Sequence, residues 1–322
     1  MRRRRFLKLC AVSMTAAPAV VLAQERIIRI VVPFAPGGSG DLIPRIIAPA
    51  LSEQLGMTVI VENRAGAGGT IGAAYVAHAS SDGLTLGVAT VSTHAIQPVV
   101  RVTPPYDPLK DFEPISNLAQ VPNVISINPS VPAQNIVEFI KLAKLRGGDL
   151  TFASPGVGSL GHMMGELFSQ TTGAPMRHIP YRGAGPALQD VIAAHVNVLC
   201  DNLPASLPHI LDGRLRALAV AWPERVEQLP SVPTFTEVNV PELNDPAWFG
   251  LVAPAGTPAS YVQRVSEAVA AALKDAKVAS RIKELGAVPQ GNTPQEFSRD
   301  IQSELDKWRR VARAGRISLE SN

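Results

Sequence analysis

Residues 27–41 read Ile27-Ile28-Arg29-Ile30-Val31-Val32-Pro33-Phe34-Ala35-Pro36-Gly37-Gly38-Ser39-Gly40-Asp41, and an apolar-periodic stretch from Leu42 to Leu55 follows, ended by Gly56. A short β-branched run, a glycine-rich turn and a helical pattern, in that order, make half of a βα unit. The same grammar returns at once. Thr58 to Val61 is strand-like, Glu62-Asn63-Arg64-Ala65-Gly66-Ala67-Gly68-Gly69-Thr70 is the turn, and Ile71 to His78 is helical. Leu84 to Ala89 is a third strand. Continuous apolar strands alternating with helices predict a parallel sheet covered on both faces, hence an α/β class.

Working outward, the rhythm breaks between Tyr106 and Pro132, a proline-rich segment holding one extended run, Val124 to Ile127. It then restarts. Strands are expected at 150–153, 176–180, 196–199 and 215–220, with helices at 136–145, 162–171, 186–195 and 205–211. Gly147 and Gly213 stand where helix C-caps belong. The chain turns through Pro223, Pro230, Pro233 and Pro241 and crosses back near Trp248 to Pro254. Two helices are expected to finish it. One opens at Thr257-Pro258, with the hydroxyl as N-cap. The other opens at the capping box Thr293-Pro294-Gln295-Glu296, with Phe297, Ile301, Leu305 and Trp308 on its core face.

Two crossings imply a first lobe made from both ends of the chain and a second lobe inserted in it. The expected division is 24–121 with 224–322 for the first lobe and 122–223 for the second, joined by a two-stranded hinge. Hinged closure around a ligand in the cleft is the motion such an arrangement allows.

Three glycine turns carry the functional signal, each following a strand and opening a helix. The third is Ser154-Pro155-Gly156-Val157-Gly158-Ser159-Leu160-Gly161-His162. Glycine lets a ligand approach backbone N–H groups. A helix start adds unsatisfied donors and partial positive charge. Such turns bind anions without a formal cation. The candidate ligand residues are therefore Phe34, Ala35, Gly38, Ser39 and Asp41 of the first turn, Gly66, Ala67 and Gly68 of the second, and Ser154, Gly158, Ser159 and His162 of the third. Other strand ends add Thr90, Ser92, Thr93 and His94, then Tyr181, Arg182 and Asp201. Arg182 is read either as a clamp on a ligand carboxylate or as a strut to Asp201, the strut being preferred. Asp41 either caps its own helix or faces a ligand amino group.

The remaining motifs exclude more than they suggest. Gly156, Gly158 and Gly161 match G-x-G-x-x-G, but the strand that follows ends in Tyr181-Arg182 with no acid in the place a dinucleotide ribose requires. Neither Ser39 nor Ser159 lies in G-x-S-x-G, so no nucleophile elbow is evident. His78, His94, His162, His178, His195 and His209 are scattered without an H-E-x-x-H pair. No metal and no cofactor are expected.

The N-terminus speaks of compartment. Arg2 to Arg5 precede an apolar stretch from Phe6 to Leu22, and residues 1–23 read as a signal peptide. The segment Arg3-Arg4-Arg5-Phe6-Leu7-Lys8 leaves twin-arginine and general secretory export both open. Taking the five positive charges of residues 1–23 from the formal net charge of +3 leaves −2, so no basic stripe argues for nucleic acid. Cys10 falls in the signal, leaving only Cys200, read as a small core residue. The mature protein is expected to be soluble, periplasmic and monomeric.

Together, Val32 to Gly38, Val61 to Gly69, His178 to Gly183 and Trp248-Phe249-Gly250-Leu251-Val252-Ala253-Pro254-Ala255-Gly256-Thr257-Pro258 resemble the Bug family, the extracytoplasmic receptors of tripartite tricarboxylate transporters. The resemblance runs in order from about Ile28 to the end. It implies a type II periplasmic-binding-protein fold of two α/β lobes. It implies a small organic carboxylate held by main-chain N–H groups and waters around Phe34 to Ser39 and Ala65 to Gly69. It also implies membrane permease subunits as partners. The chain departs from the family pattern at Gly40, where relatives often carry a small hydroxyl residue, and at Cys200. The expected function is capture of a carboxylate for transport, without chemistry on it. A sensory receptor serving a membrane kinase has the same fold and stays open as the alternative. A periplasmic hydrolase is the third reading.

Overall fold

The computed structural model describes residues 26–315. The expected signal peptide, Cys10 included, lies outside the described residues, as do 316–322. In chain order the elements are β1 (Ile27–Val32), α1 (Ser39–Leu55), β2 (Thr58–Asn63), α2 (Thr70–Ala77), β3 (Thr85–Thr90), a π-helical turn (Ser92–Ile96) running into α3 (Gln97–Val100), β4 (Phe112–Val121) and β5 (Asn123–Ile127). There follow α4 (Ile136–Arg146), β6 (Thr151–Ser154), α5 (Leu160–Thr172), β7 (Arg177–Pro180), α6 (Ala184–Ile192), β8 (Val198–Asn202), α7 (Leu203–Leu211) and β9 (Arg216–Ala221). The chain closes with β10 (Ala247–Pro254), α8 (Ala259–Lys274), α9 (Ala276–Glu284), β11 (Val288–Pro289) and α10 (Pro294–Gly315).

These strands form two sheets. One has the order β11-β4-β10-β3-β1-β2 and the other β7-β6-β8-β5-β9. Each is parallel only in part. β1 pairs in parallel with β2 and β3, and β6 with β7 and β8. β10 runs antiparallel to β3 and β4, and β5 antiparallel to β8 and β9. The reason is the double crossing. A strand that leaves one sheet and enters the other through Pro122, or returns at Ala247, runs against the strands laid down by βα repeats. The fold is therefore a two-lobed α/β structure with a two-stranded connection, and each sheet carries helices on its faces.

β4 is the element the sequence hid. Pro114 lies inside it, and proline inside a run argues against a strand. Here the register against β10 shifts between Leu251 and Val252, leaving Ile115 at a bulge, which accommodates the missing N–H. All eight residues of β10 are buried, and side chains of this kind contribute about 1.5–3 kcal/mol each on burial.

Packing also bears on the division between lobes. Val226, Leu229 and Val232 pack with Val124, Leu203 and Val220, and Phe235, Val240 and Leu243 join the core around Phe139, Phe152 and Phe168. The segment from Pro223 to Asn244, expected in the first lobe, thus lies against the second sheet.

The C-terminal part has three helices where two were expected. Asp275 interrupts the pattern and accepts hydrogen bonds from the Lys277 and Val278 N–H groups, capping α9. Thr257 caps nothing. Its hydroxyl donates to the Pro254 carbonyl, 2.7 Å. The Thr293–Glu296 capping box forms as expected: the Glu296 N–H donates to Thr293 Oγ1, 3.3 Å, and the Thr293 N–H to Glu296 Oε2, 2.8 Å. Phe297, Ile301, Leu305 and Trp308 are all buried.

Candidate functional site

The first turn leaves β1 at Val32 and starts α1 at Ser39. Its N-cap, Gly38, has extended backbone and no side chain to bond the helix start. The N–H groups of Gly38, Ser39 and Gly40 make no hydrogen bond among the described residues. These are the orphan donors of a helix N-terminus, with its partial positive charge.

Asp41 holds this turn in shape. Its Oδ2 accepts from the Gly37 N–H, 3.1 Å, and its Oδ1 from Arg45 Nε, 2.9 Å, and Asn63 Nδ2, 2.8 Å. Burial pushes its carboxyl up, but these hydrogen bonds outweigh burial and hold it below the ordinary carboxylate range. Asn63 also donates to the Phe34 carbonyl, 3.0 Å, so the end of β2 braces the turn after β1.

The second turn is a run of positive φ: Gly66 at 139°, Ala67 at 49°, Gly68 at 65° and Gly69 at 97°. Successive amides in such conformations form a concave nest for negative charge. Gly69 donates to the Gly66 carbonyl at 2.9 Å and Thr70 to the Ala67 carbonyl, while the Gly66, Ala67 and Gly68 N–H groups make no hydrogen bond among the described residues. A Cβ at Gly68 would collide with the Gln97 amide and the Val157 carbonyl.

The third turn, in the second lobe, behaves differently. Its Gly156 N–H donates to Ser154 Oγ, 3.2 Å, and its Gly158 N–H to His162 Nδ1, 3.1 Å. The Ser159 N–H donates to the Gly156 carbonyl, 3.0 Å, and the Leu160 N–H to Ser92 Oγ across the lobes, 3.0 Å. Ser159 Oγ caps α5 by accepting from the His162 N–H, 3.3 Å. Ser154 Oγ sits 2.6 Å from His178 Nε2. The donors expected for a ligand here are already engaged. The His162 and His178 rings stack at 4.0 Å. Burial lowers His162 to about 4, and burial together with its neighbour lowers His178 to about 3, so both are neutral near pH 7.

Of the segment after β3, only Ser92 reaches the space between lobes. Thr90 and Thr93 bond each other, and Tyr106 Oη donates to the Thr93 carbonyl at 2.6 Å. His94, expected at the ligand, is in the first-lobe core, its ring 4.6 Å from that of Phe112. Burial lowers its pKa to about 3. The π-helical turn after β3 rotates these side chains inward, a register no periodicity count anticipates.

In the second lobe, Tyr181 donates to Asp190 Oδ2, 2.5 Å, away from the first turn. Arg182 is exposed and pairs with no acid among the described residues, so the expected strut to Asp201 is not formed. Its carbonyl instead accepts the Ala35 N–H, 3.1 Å. Asp201 is buried, and its Oδ2 has no hydrogen-bond partner. Burial raises its carboxyl to about 7, against the Asn202 N–H that lowers it. Cys200 is fully buried in the second-lobe core, and burial raises its thiol far above the ordinary range.

What the tertiary structure gathers is a small space between the lobes of about 30 Å³. Phe34, Gly38, Ser39, Ser92 and Asp201, all expected, line it. Ala35, Asp41, the second turn, Thr90, Thr93, His94, Ser154, Gly158, Ser159, His162, Tyr181 and Arg182 do not. Gly40, Pro155, Leu160, Gly161, Ala184, Asn202 and Phe249 were missed as lining residues, so the third turn reaches the gap through Pro155 and Gly161. Phe249 and Asn202 did carry a signal, since each lies in a stretch already read as a crossing or a strand end. The lobes touch around this space. Ser39 Oγ donates to the Asn202 carbonyl, 3.3 Å, and accepts from the Ala205 N–H, 3.2 Å. Gln97 Nε2 donates to the Val157 carbonyl, 2.7 Å. Among the described residues no group of three or more His, Cys, Asp or Glu is placed to hold a metal, and no helix is long and apolar enough to cross a membrane.

Two α/β lobes, a two-stranded connection and unbonded helix-start amides at the interface define a solute-binding protein of the two-lobed type. Residues 43–316 match the model of the tripartite tricarboxylate transporter family receptor, and this chain belongs to that family. It is 37% identical over 289 residues to Protein BugT of Bordetella pertussis, covering 89% of each chain. Its fold is similar to that of the periplasmic binding protein BugD, with a TM-score of 0.88 at 31% identity over 92% of this chain and 99% of that one. It is also similar to Rpa4515 of R. palustris, solved with adipate, with a TM-score of 0.87 at 37% identity over 91% of this chain and 98% of that one.

Proposed function

We propose that this chain is exported, captures a small organic carboxylate between its lobes, and delivers it to the membrane subunits of a tripartite tricarboxylate-type transporter without acting chemically on it. One observation carries the reading: three successive N–H groups, of Gly38, Ser39 and Gly40, lie unbonded at the inter-lobe gap. Buried backbone donors are almost always paired, so a run of three at a helix start points to an acceptor from outside the chain. The Gly66–Gly68 amides supply a second set on the same lobe. The adipate of Rpa4515 supports a carboxylate as that acceptor.

Hinge motion belongs to this reading. A space of about 30 Å³ holds about one water molecule, so an acid of four or more carbons enters only when the lobes part. The five inter-lobe hydrogen bonds around the gap, donated by Ala35, Ser39, Gln97, Leu160 and Ala205, are each worth about 1 kcal/mol. A ligand bonded to both lobes replaces them. The lobes meet at the two chain crossings, with the second lobe running from 122 to about 246 on the packing above, and the protein acts as a monomer.

Calorimetric titration of the purified mature chain with mono-, di- and tricarboxylates tests the proposal. Saturable binding of at least one acid is expected, with a rise in thermal stability; at one hundred times Kd that is about 2.7 kcal/mol. If no acid binds, the carboxylate reading is wrong. If bound acid is turned over, the absence of chemistry is wrong.

A further inference from the structure

Opposite the bare amides stands Asp201. It sits at the end of β8, the central strand of its sheet, with Val124 of β5 as its register partner. The carboxyl is therefore fixed by a strand paired on both sides, and the buried Cys200 beside it anchors the strand in the core. Asp201 itself is 3% exposed, lines the gap, and leaves Oδ2 without a hydrogen-bond partner among the described residues. No lysine, arginine or histidine pairs with it there. Among the lining side chains Phe34, Phe249, Leu160 and Ala184 have no N–H or O–H, Ser39 donates to the Asn202 carbonyl, Asn202 to Asn123, and the Ser92 hydroxyl makes no hydrogen bond to Asp201.

A buried acceptor without a donor is costly, and native structures rarely keep one without use. On the receptor reading, the Gly38–Gly40 amides anchor one ligand carboxylate. The ligand atoms next to that anchor then face Asp201 across the narrow gap. An unsubstituted acid brings only C–H groups and negative charge there, which leaves Oδ2 unmet and, where Asp201 is ionised, repelled. An acid bearing O–H or N–H on its chain satisfies it.

We propose that Asp201 is the specificity-determining residue of this receptor, its Oδ2 accepting a hydrogen bond from a hydroxyl or ammonium group on the carbon chain of the bound carboxylate. The ligand class is thus hydroxy- or amino-substituted organic acids. This inference rests on the carboxylate-receptor reading. The carboxyl, raised to about 7 by burial, is mostly ionised at pH 8, so measurements at pH 8 test it as an acceptor.

The experiment is calorimetry at pH 8 on chain-matched sets: succinate, malate and aspartate; glutarate, 2-hydroxyglutarate and glutamate; adipate, 2-hydroxyadipate and 2-aminoadipate. The parent is expected to bind the hydroxy or amino member of at least one set roughly tenfold or more tighter than the plain acid, the scale of a hydrogen bond to a charged group. Asp201→Asn, which keeps shape and one acceptor but no charge, is expected to lose preference for an amino member. Asp201→Ala is expected to lose preference for both and to hold the plain acid within about threefold. Parent and Asp201→Asn decide the matter if the alanine variant does not fold. Equal binding within every set, or a preference that survives both substitutions, overturns the proposal while leaving the receptor reading intact. Plain acids that bind with proton uptake, and tighten from pH 8 to 6, also overturn it, because Asp201 then donates instead of accepting. Failure of every acid to bind removes the receptor reading and this inference with it.

Discussion

The turns at Gly37–Asp41 and at Gly156–His162 look alike in sequence but are hydrogen-bonded differently. Both follow a strand, open a helix and are rich in glycine. In the first, the N-cap is Gly38, and the helix-start amides keep no partner inside the chain. In the second, the N-cap is Ser159, whose hydroxyl bonds the His162 amide, while Ser154, His162, Ser92 and the Gly156 carbonyl take up the Gly156, Gly158, Leu160 and Ser159 N–H groups, leaving those of Val157 and Gly161. A capped helix start is a structural support, and an uncapped one is a place for an anion. Glycine content makes close approach possible; the hydrogen-bond account decides whether anything is there to be approached.

This contrast is easiest to break at Gly68. Its φ of 65° and the nearby Gln97 and Val157 atoms leave no room for a side chain. Gly68→Val is expected to lower carboxylate affinity at least about 100-fold, the loss of a bound geometry and of lobe approach together. Titration calorimetry with circular dichroism as a control for folding measures it, and parent-like affinity breaks the assignment of the second turn. Gly38→Val comes next. Its Cβ would lie 2.9 Å from Ala184 Cβ in the opposing lobe, so a loss of about 10- to 100-fold is expected. Ala184→Gly in the same chain should restore part of it, which a general folding defect would not allow.

Acid titration sharpens the comparison from the side of the buried histidines. For His94 the folded-state pKa of about 3 lies below the unfolded value of 6.5. The unfolded chain binds the proton first, so stability is full above pH 6.5 and is lost as pH falls from 6.5 toward 3. At pH 5 the loss from this residue is on the order of 2 kcal/mol. Denaturant unfolding of the parent and His94→Gln between pH 8 and 5 should show a shallower slope for the variant; identical slopes exclude His94 as the source.

The smallest effect is expected at Ser159. Ser159→Ala removes the cap of α5 and should cost about 1 kcal/mol in stability. Affinity should stay within about twofold, because the Ser159 hydroxyl is spent on the helix start and does not line the gap. A tenfold loss of affinity at unchanged fold would place that turn back among the ligand contacts.

Most strands and the helices before residue 212 were legible because their signals are local. β-branched runs bounded by turns and apolar residues at helical spacing need only neighbours in the chain. β4 was hidden because Pro114 counts against a strand unless a bulge forms opposite it, and the bulge belongs to the pairing with β10. The split of α8 from α9 was missed because Asp275 acts as a cap only once the chain bends there. In the site, Gly38 and Ser39 were legible as a helix start after a glycine turn. His94 was not, because its place in the core depends on Phe112 and Tyr106, which come later in the chain and pack from another element.

By itself, then, the amino-acid order determined the βα repeats, the double crossing and the glycine-lined helix starts, since each depends on backbone preferences over a few residues. The folded chain alone decided which of those starts keep their donors, and that Asp201 ends up buried and unmatched while Arg182 stays in water. The reason is that hydrogen-bond partners and dielectric surroundings are properties of groups brought together from distant segments, and no local pattern contains them.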